Sequence, residues 1–309
     1  MRGIDARQRD LIQDVSNEGL SSYSISALEK DLHLGSILGL FRLRHADLPE
    51  IVLCGGTSLV KGHKLIARMS EDMDFKVSVS SDSSNNKRAS FLSRLKEQIS
   101  TLLAEEGFVV ENVSAHNRNS FFSIELRYSP AFTIETALRP HILLEFTAEP
   151  PFLPPVFCQS GSLLGQSVPE ELHPESFPCL QVEETVAEKS VAFLRRSRRI
   201  GFASEESHDS RLVRHIYDIG SIGLNGVDFP QVDAAFVNAM ERDARKYVLG
   251  DPEFGANPRK ELAQAADGLD ISALNADYEV FVESLVAGPA VSFDQAFKEF
   301  HSLVGELLR

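Results

Sequence analysis

The feature that most constrains this chain is an apolar strand that ends in two glycines and is soon followed by a strand carrying two aspartates. The apolar run IVLC leads into Gly55 and Gly56, and the later segment DMDFKVSV contains Asp72 and Asp74. Alternate residues of a strand point to the same face, so the two carboxylates share one face while Met73 points into a core. Adjacent carboxylates repel each other unless a cation lies between them or one of them is protonated.

These acids predict a site for a divalent metal. Mg²⁺, or Mn²⁺ in its place, binds carboxylate oxygens and substrate phosphates, and such ions activate an attacking hydroxyl and stabilise a leaving pyrophosphate. A third ligand is expected at Glu145, in the apolar run HILLEFTA, because a carboxylate buried there requires a cation beside it. The predicted metal ligands are therefore Asp72, Asp74 and Glu145. The alternative for each is an acid at a solvated strand edge or end.

The glycine turn predicts a phosphate-binding element, although such a turn on its own is commonly structural. Glycines let the backbone approach a phosphate, and the helix that follows offers free N–H groups and the positive end of its dipole. The hydroxyl of Thr57 or Ser58 adds a donor. The segment TSLVKGHKLIARM is predicted to be a short helix with Lys61, Lys64 and Arg68 on one face. Lys61 is expected to contact a triphosphate and Lys64 to be solvated.

The rest of the sequence divides into an α/β half and a helical half, which predicts an α+β fold. Helices are predicted within residues 5 to 50, and strands around FVVENVSAH, SFFSIELRYS and HILLEFTA. The Ser-rich segment 78–90 reads as an exposed loop. Seven of the fourteen prolines lie in residues 148 to 180, which predicts little regular structure there. The expected domains are a sheet lobe with N-terminal helices (1–150), a connector (151–180) and a helical lobe (181–309).

Composition narrows the classes of partner. A net charge of −14 argues against a protein that coats nucleic acid, so any basic site has to be local. The densest basic segment is KSVAFLRRSRR, which predicts a contact with RNA or a triphosphate. The alternative is a helix end whose cations are favoured by the helix dipole. The expected RNA-binding residues are Arg195, Arg196, Arg198, Arg199 and Arg214.

Targeting signals and cysteine patterns are absent from this sequence. It contains no run of eighteen apolar residues, and its first residues lack the apolar core of a secretory signal. Its three cysteines are widely spaced and form neither a zinc pattern nor a disulfide framework. These observations predict a cytoplasmic protein without a membrane partner.

The segment GGTSLVKGHKLIARMSEDMDF resembles the signature of the AbiEii/AbiGii-type nucleotidyltransferases, within the DNA polymerase β-like superfamily. The family pattern is a GGT turn, a Lys four residues on, then an Arg, an apolar residue and Ser-Glu-Asp-apolar-Asp. The matching residues are Gly55, Gly56, Thr57, Lys61, Arg68, Met69, Ser70, Glu71, Asp72, Met73 and Asp74.

Two downstream segments extend the resemblance. VEETVAEKSVAFLRR is similar to a family helix with an Ala-Glu-Lys core, which maps a functional lysine onto Lys189. RHIYDIGSI is similar to the Arg-Asp-x-Tyr-Asp segment and maps the second acid onto Asp218, with His215 where an Asp is usual. In the family the lysine contacts nucleotide phosphates and the acid helps to position it. Glu145 lies where the family tends to place its third strand acid.

The resemblance implies a nucleotidyltransferase-fold sheet lobe, a helical lobe, and Mg²⁺-dependent transfer of NMP from an NTP to a hydroxyl. The expected acceptor is the 3′ end of tRNA, and the expected role is that of a toxin held off by an antitoxin. The alternatives are transfer to a protein Ser, Thr or Tyr, and a non-catalytic nucleotide-binding or antitoxin-like module. The expected catalytic residues are Asp72, Asp74, Glu145, Lys189 and Asp218. The expected nucleotide-binding residues are Gly55, Gly56, Thr57, Ser58, Lys61, Ser70 and Lys189.

Overall fold

A computed structural model describes residues 1–44, 48, 50–79, 84–135, 138–166, 176–200 and 209–309, without the side chains of residues 199 and 200. The chain forms two compact units, Met1–Leu180 and Gln181–Arg309. The first is α+β and the second is helical, as the sequence predicts.

The first unit opens with two helices that begin where polar side chains satisfy their free N–H groups. The carboxylate of Asp5 accepts a hydrogen bond from the N–H of Gln8, and Ser24 caps the second helix in the same way. Helix α1 spans Ala6–Asn17 and α2 spans Ile25–Leu43, which confirms the prediction for this region.

Seven strands of the described residues form one mixed sheet in the order β3-β4-β5-β2-β1-β7-β6. Strand β2 lies antiparallel to β1 and parallel to β5, which places it in the interior of the sheet. The strands predicted around residues 109, 121 and 142 are confirmed as β3, β4 and β5. The strands are β1 (Ile51–Cys54), β2 (Asp72–Val77), β3 (Val109–His116), β4 (Phe121–Arg127), β5 (Ile142–Thr147), β6 (Val156–Gln159) and β7 (Ser176–Cys179).

One face of this sheet is apolar and packs against α2 and α4 (Asn85–Glu105). Phe75, Phe146 and Phe122 lie side by side on β2, β5 and β4, with ring centroids 5.0 Å and 4.7 Å apart. Helix α4 begins at residue 85, three residues before the predicted start, because Ser84 accepts a hydrogen bond from the Lys87 N–H. The expectation of a loop over 78–90 is therefore wrong for 85–90, and residues 80–83 lie outside the described residues.

The expected connector, 151–180, contributes two strands to the sheet where it is described. Strand β7 lies parallel to β1, with Leu53 opposite Cys179, and β6 lies antiparallel to β7 at the sheet edge. The expectation of little regular structure is therefore wrong for Val156–Gln159 and Ser176–Cys179. Pro178 of β7 lies opposite Phe157 of the edge strand β6.

The predicted helix after the glycine turn is much shorter in the structure. A single helical turn, α3 (Gly55–Thr57), continues into a π-helical turn (Ser58–Gly62) and stops, since Lys64 has a φ of 56°. Arg68 lies beyond this helical stretch in non-helical backbone. The expectation that Lys61, Lys64 and Arg68 share one helical face is therefore wrong.

The second unit is an assembly of helices. Helix α5 packs against α6, α7 and α9, while α6 packs closely on α11. A Cβ added at Gly220 would overlap Ala296, so the glycine permits this close crossing. No helix in the described ranges is both long and apolar enough to cross a membrane. The helices are α5 (Val182–Ile200), α6 (Val213–Gly223), α7 (Phe229–Tyr247), α8 (Pro252–Ala256), α9 (Pro258–Asp267), α10 (Ile271–Leu285) and α11 (Phe293–Leu307).

Candidate active site

The three acids predicted from the sequence lie together on the polar face of the sheet. Asp72 and Asp74 alternate along β2 with the buried Met73, so both point away from the apolar core. Glu145 of β5 is the direct neighbour of Asp74 in the parallel register. Asp72, Asp74 and Glu145 together form the carboxylate face.

The acids of the carboxylate face interact strongly. Burial raises the pKa of Glu145, and the negative charge of Asp72 raises it further, whereas a hydrogen bond with Asp74 and the positive charge of Arg139 lower it. A raised carboxyl pKa is expected where like charges share a poorly solvated site. Three carboxylates gathered at neighbouring positions of one sheet face suit that face to bind a cation.

Arg139 is the cation nearest to Asp72, and sequence reasoning missed it. Its Nη1 lies 2.9 Å from Asp72 Oδ1 and 3.0 Å from Oδ2. Both side chains are partly exposed, at 22% and 21%. The residue lies before β5 in the run ALRPHILLEF, where nothing about its spacing distinguishes it from a surface arginine.

A buried network holds the backbone of Arg139 in place. Glu71 Oε1 accepts a hydrogen bond from the Arg139 N–H at 2.7 Å and one from Lys30 Nζ at 3.0 Å. The same ammonium donates to the Arg139 carbonyl oxygen at 3.0 Å. Burial lowers the pKa of Lys30, and the Glu71 carboxylate counteracts that shift. The network connects α2 to the residue that precedes Asp72 on the chain.

The glycine turn packs directly against the carboxylate face. A Cβ added at Gly55, whose φ is +67°, would overlap Asp74 Oδ2, and a Cβ at Gly56 would overlap the Arg68 guanidinium. Arg68 is buried, and its Nη1 donates to the Met69 carbonyl oxygen at 3.0 Å. Backbone conformation therefore favours glycine at Gly55, and a Cβ at either position would displace the side chain that faces it.

The hydroxyls of the turn have different surroundings. Thr57 is fully buried, with Oγ1 2.8 Å from Ser70 Oγ and a further hydrogen bond donated to the Asp72 carbonyl oxygen. It thereby ties the turn to the start of β2. Ser58 Oγ is buried and has no hydrogen-bond partner within the described part of the chain. Thr57 thus acts as a structural tie, and Ser70 is half-buried beside it.

Lys61, expected to contact a triphosphate, is buried beside the turn and paired with an acid. Its side chain is 2% exposed and its Nζ lies 2.6 Å from Asp31 Oδ1. The Gly161 carbonyl oxygen also accepts from it, at 3.3 Å. A contact with phosphate would require this buried ion pair to break, so we assign Lys61 to the scaffold of the turn.

The carboxylate face fits a divalent cation in its donor chemistry. Three carboxylates at neighbouring positions of one sheet face are the hard oxygen donors that Mg²⁺ prefers. Within the described ranges, however, no group of three His, Cys, Asp or Glu side chains is converged as a set of metal ligands. The contacts explain this arrangement, because Asp72 is bound to Arg139 while Asp74 and Glu145 are hydrogen-bonded to each other.

In the second unit, the structure pairs Lys189 with Asp218. Lys189 Nζ lies 2.9 Å from Asp218 Oδ2, and the acid is fully buried. The pair connects α5 to α6 and holds the ammonium in one position. His215, one turn before the acid on α6, is half-buried.

The arginines of α5 are engaged with acids, which opposes their expected role in RNA binding. Arg195 Nε lies 3.1 Å from Asp243 Oδ2, Arg196 is paired with Asp209, and Arg198 Nη1 lies 2.7 Å from Asp251 Oδ2. Arg198 also contacts Glu261. Arg214 is half-buried on α6, and the side chain of Arg199 lies outside the described residues.

Comparisons with known proteins agree with this architecture. Residues 39–299 match the family model described as "Nucleotidyl transferase AbiEii toxin, Type IV TA system". Among solved structures, the chain is similar to MenT4, nucleotidyltransferase toxin Rv2826c from Mycobacterium tuberculosis H37Rv. That similarity has a TM-score of 0.59 at 18% identity and covers 97% of this chain and 89% of the other. No curated protein matches in sequence.

Proposed function

This chain belongs to the AbiEii family of nucleotidyltransferase toxins of type IV toxin–antitoxin systems, and we propose that its carboxylate face performs the transfer. The proposed reaction moves an NMP from an NTP to an acceptor hydroxyl. The observation that supports it most is the juxtaposition of Asp74 with Glu145 in register, with Gly55 packed against Asp74.

The proposed reaction is an in-line displacement. The acceptor hydroxyl attacks the α-phosphorus, the bond from that phosphorus to its bridging oxygen breaks, and pyrophosphate leaves. Asp74 and Glu145 favour ionisation of the hydroxyl, and burial raises the pKa of Glu145, which favours its acceptance of a proton. Asp72, Asp74 and Glu145 would hold Mg²⁺ or Mn²⁺, which supplies positive charge to the phosphates when bound.

The glycine turn and Lys189 are proposed to bind the phosphates. The backbone at Gly55 and Gly56 is unobstructed by a side chain of its own, which suits close approach of a phosphate. Ser58 and Ser70 provide hydroxyls beside that backbone. Lys189 is proposed to contribute a phosphate contact, with Asp218 positioning its ammonium at 2.9 Å.

The proposed acceptor is the 3′ end of tRNA, and the proposed partner is a cognate antitoxin. Both rest on the resemblance to the family, since Arg195, Arg196 and Arg198 are each paired with an acid. We propose that the protein acts in the cytoplasm, where its three free cysteines, Cys54, Cys158 and Cys179, remain reduced.

The test is transfer of label from each α-³²P-labelled NTP to total tRNA and, separately, to lysate protein, with and without Mg²⁺. We expect label on RNA that requires Mg²⁺ and is lost in Asp72→Asn. Label on protein with the same requirements would retain the enzyme and change the acceptor. Label that persists in a folded Asp72→Asn protein would contradict the proposed site.

A further inference from the structure

Arg139 makes the contact that most limits what the carboxylate face can bind. Its Nη1 lies within 3.0 Å of both carboxylate oxygens of Asp72. A divalent ion bound by Asp72 needs the same oxygens. The guanidinium and the metal therefore compete for one ligand.

The guanidinium can leave Asp72 without disturbing the fold around it. Glu71 and Lys30 bind the N–H and the carbonyl oxygen of Arg139, so they hold its backbone. The side chain is 22% exposed, so it has solvent to move into. An arginine remains charged at all physiological pH values, so displacement is the only way to free Asp72 of its charge.

In a nucleotidyltransferase, the triphosphate of the NTP is available to bind the released guanidinium. Its planar set of donors matches phosphate oxygens as well as it matches a carboxylate. A triphosphate that arrives with its metal brings about four negative charges to the same place. The anchored backbone of Arg139 keeps the guanidinium within reach of that charge.

We propose that Arg139 is a resident counter-cation that occupies Asp72 until a divalent ion binds, and that it then binds the triphosphate of the NTP. This inference rests on the proposed function, because it assigns the metal to the carboxylate face. It makes Arg139 a specific contact for the triphosphate and an internal competitor of the metal when nucleotide is absent.

The experiment measures Mn²⁺ binding without nucleotide, by the loss of the free-ion EPR signal, in the parent, Arg139→Ala and Arg139→Lys. We expect Arg139→Ala to bind Mn²⁺ about tenfold more tightly, since one opposing charge is removed from a partly exposed site. Arg139→Lys should bind with an intermediate affinity, because a lysine retains the charge but not the planar fork. The second arm measures binding of Mn²⁺–tripolyphosphate, a probe without a base, which we expect Arg139→Ala to weaken about tenfold.

Arg127→Ala is the matched control. Arg127 is 56% exposed and is paired with Glu111 on the neighbouring strand, so its removal changes the net charge by the same amount away from Asp72. We expect its affinities for Mn²⁺ and for Mn²⁺–tripolyphosphate to equal those of the parent. An Arg139→Ala protein that resembles Arg127→Ala in both arms would overturn the inference.

Asp72→Asn separates failure of this inference from failure of the proposed function. If the parent and Arg139→Ala bind Mn²⁺ and Asp72→Asn does not, the metal site stands and the two affinities decide the role of Arg139. If Asp72→Asn binds as well as the parent, the metal site itself is wrong and the inference falls with it. Absence of Mn²⁺ binding in both the parent and Arg139→Ala would have the same meaning.

Discussion

Two concentrations of charge that lie far apart in the sequence, the carboxylate face and the arginines of α5, differ in how the fold compensates them. On the carboxylate face, Asp72 is paired with the partly exposed Arg139, and burial raises the pKa of Glu145. Each described arginine of α5 has an acid within ion-pairing distance. Like charges gathered on one face, called the unbalanced class below, can bind a counter-ion, whereas separate pairs of opposite charge, called the balanced class, hold helices together.

Lys61 shows that the class of a charged residue depends on its ion-pair partner and not on how close it lies to the proposed site. It lies four residues after Thr57, beside the proposed phosphate-binding turn, yet it is buried against Asp31. Its charge is balanced in the same way as that of the α5 arginines. Substituting a residue of the balanced class should therefore lower the unfolding free energy. Substituting a residue of the unbalanced class should lower the rate of NMP transfer.

Lys61→Met is expected to have the largest effect, which is a loss of unfolding free energy. Removing the ammonium leaves Asp31 buried and uncompensated, which costs about 3–5 kcal/mol of unfolding free energy. Urea unfolding measures this loss directly. Lys61→Met with Asp31→Leu, which removes both charges, is expected to recover most of the stability. A stable single variant that has lost transfer would place Lys61 in the unbalanced class.

Gly55→Ala tests the unbalanced class. The added methyl group would overlap Asp74 Oδ2, and the φ of +67° is strained for alanine. We expect transfer to fall about 100-fold, or roughly 2.7 kcal/mol in barrier, because misplacement of a catalytic carboxylate by about 1 Å has that effect. The measurement is the single-turnover rate, with Gly19→Ala as a control for positive φ without a neighbour.

Arg198→Gln tests the balanced class at the arginines of α5. Loss of the Arg198 guanidinium leaves Asp251 and Glu261 without that cation. Their side chains are 15% and 11% exposed. We expect about 2 kcal/mol less unfolding free energy, below the roughly 3–5 kcal/mol for a fully buried pair, because these side chains are partly exposed. The slope of tRNA binding against salt concentration should stay unchanged. A shallower slope with normal stability would return Arg198 to an RNA-binding role.

The smallest expected effect is a loss of stability at low pH. It comes from His33, whose buried imidazole stays neutral in the folded protein. It packs 4.4 Å from the Tyr128 ring, and burial lowers its pKa to about 4. Because the folded pKa is below the unfolded one, the unfolded state binds the proton first as pH falls below about 6.5, and stability is lost down to about pH 4. At pH 5.5 the loss is roughly 1.5 kcal/mol relative to pH 8. The urea midpoint of His33→Leu should depend less on pH than that of the parent.

The sequence predicted those parts of the site that depend on local spacing. Asp72 and Asp74 follow from alternation on one strand, and the requirement of a buried acid for a partner identified Glu145. The partners of the cations were not predictable in this way. Asp31 precedes Lys61 by 30 residues and Asp251 follows Arg198 by 53, so only the tertiary structure shows that those charges are balanced.

Arg139 and strands β6 and β7 were missed for related reasons. Arg139 is defined by its contact with Asp72, 67 residues earlier, and its local sequence carries no periodic signal. Strands β6 and β7 are four residues each, and their proline-rich surroundings favour loops. Pairing with β1 stabilises β7 in a way that no short window of sequence reports.

The most direct test of the account measures both the unfolding free energy and NMP transfer in Asp74→Asn. In chelator, we expect the variant to be about as stable as the parent, because an asparagine amide has the shape of the carboxylate and can still form hydrogen bonds. Transfer in Mg²⁺ should fall by about three orders of magnitude or more, which corresponds to roughly 4 kcal/mol in barrier. A variant that is destabilised yet retains turnover would contradict the account, since Asp74 would then be part of the balanced scaffold.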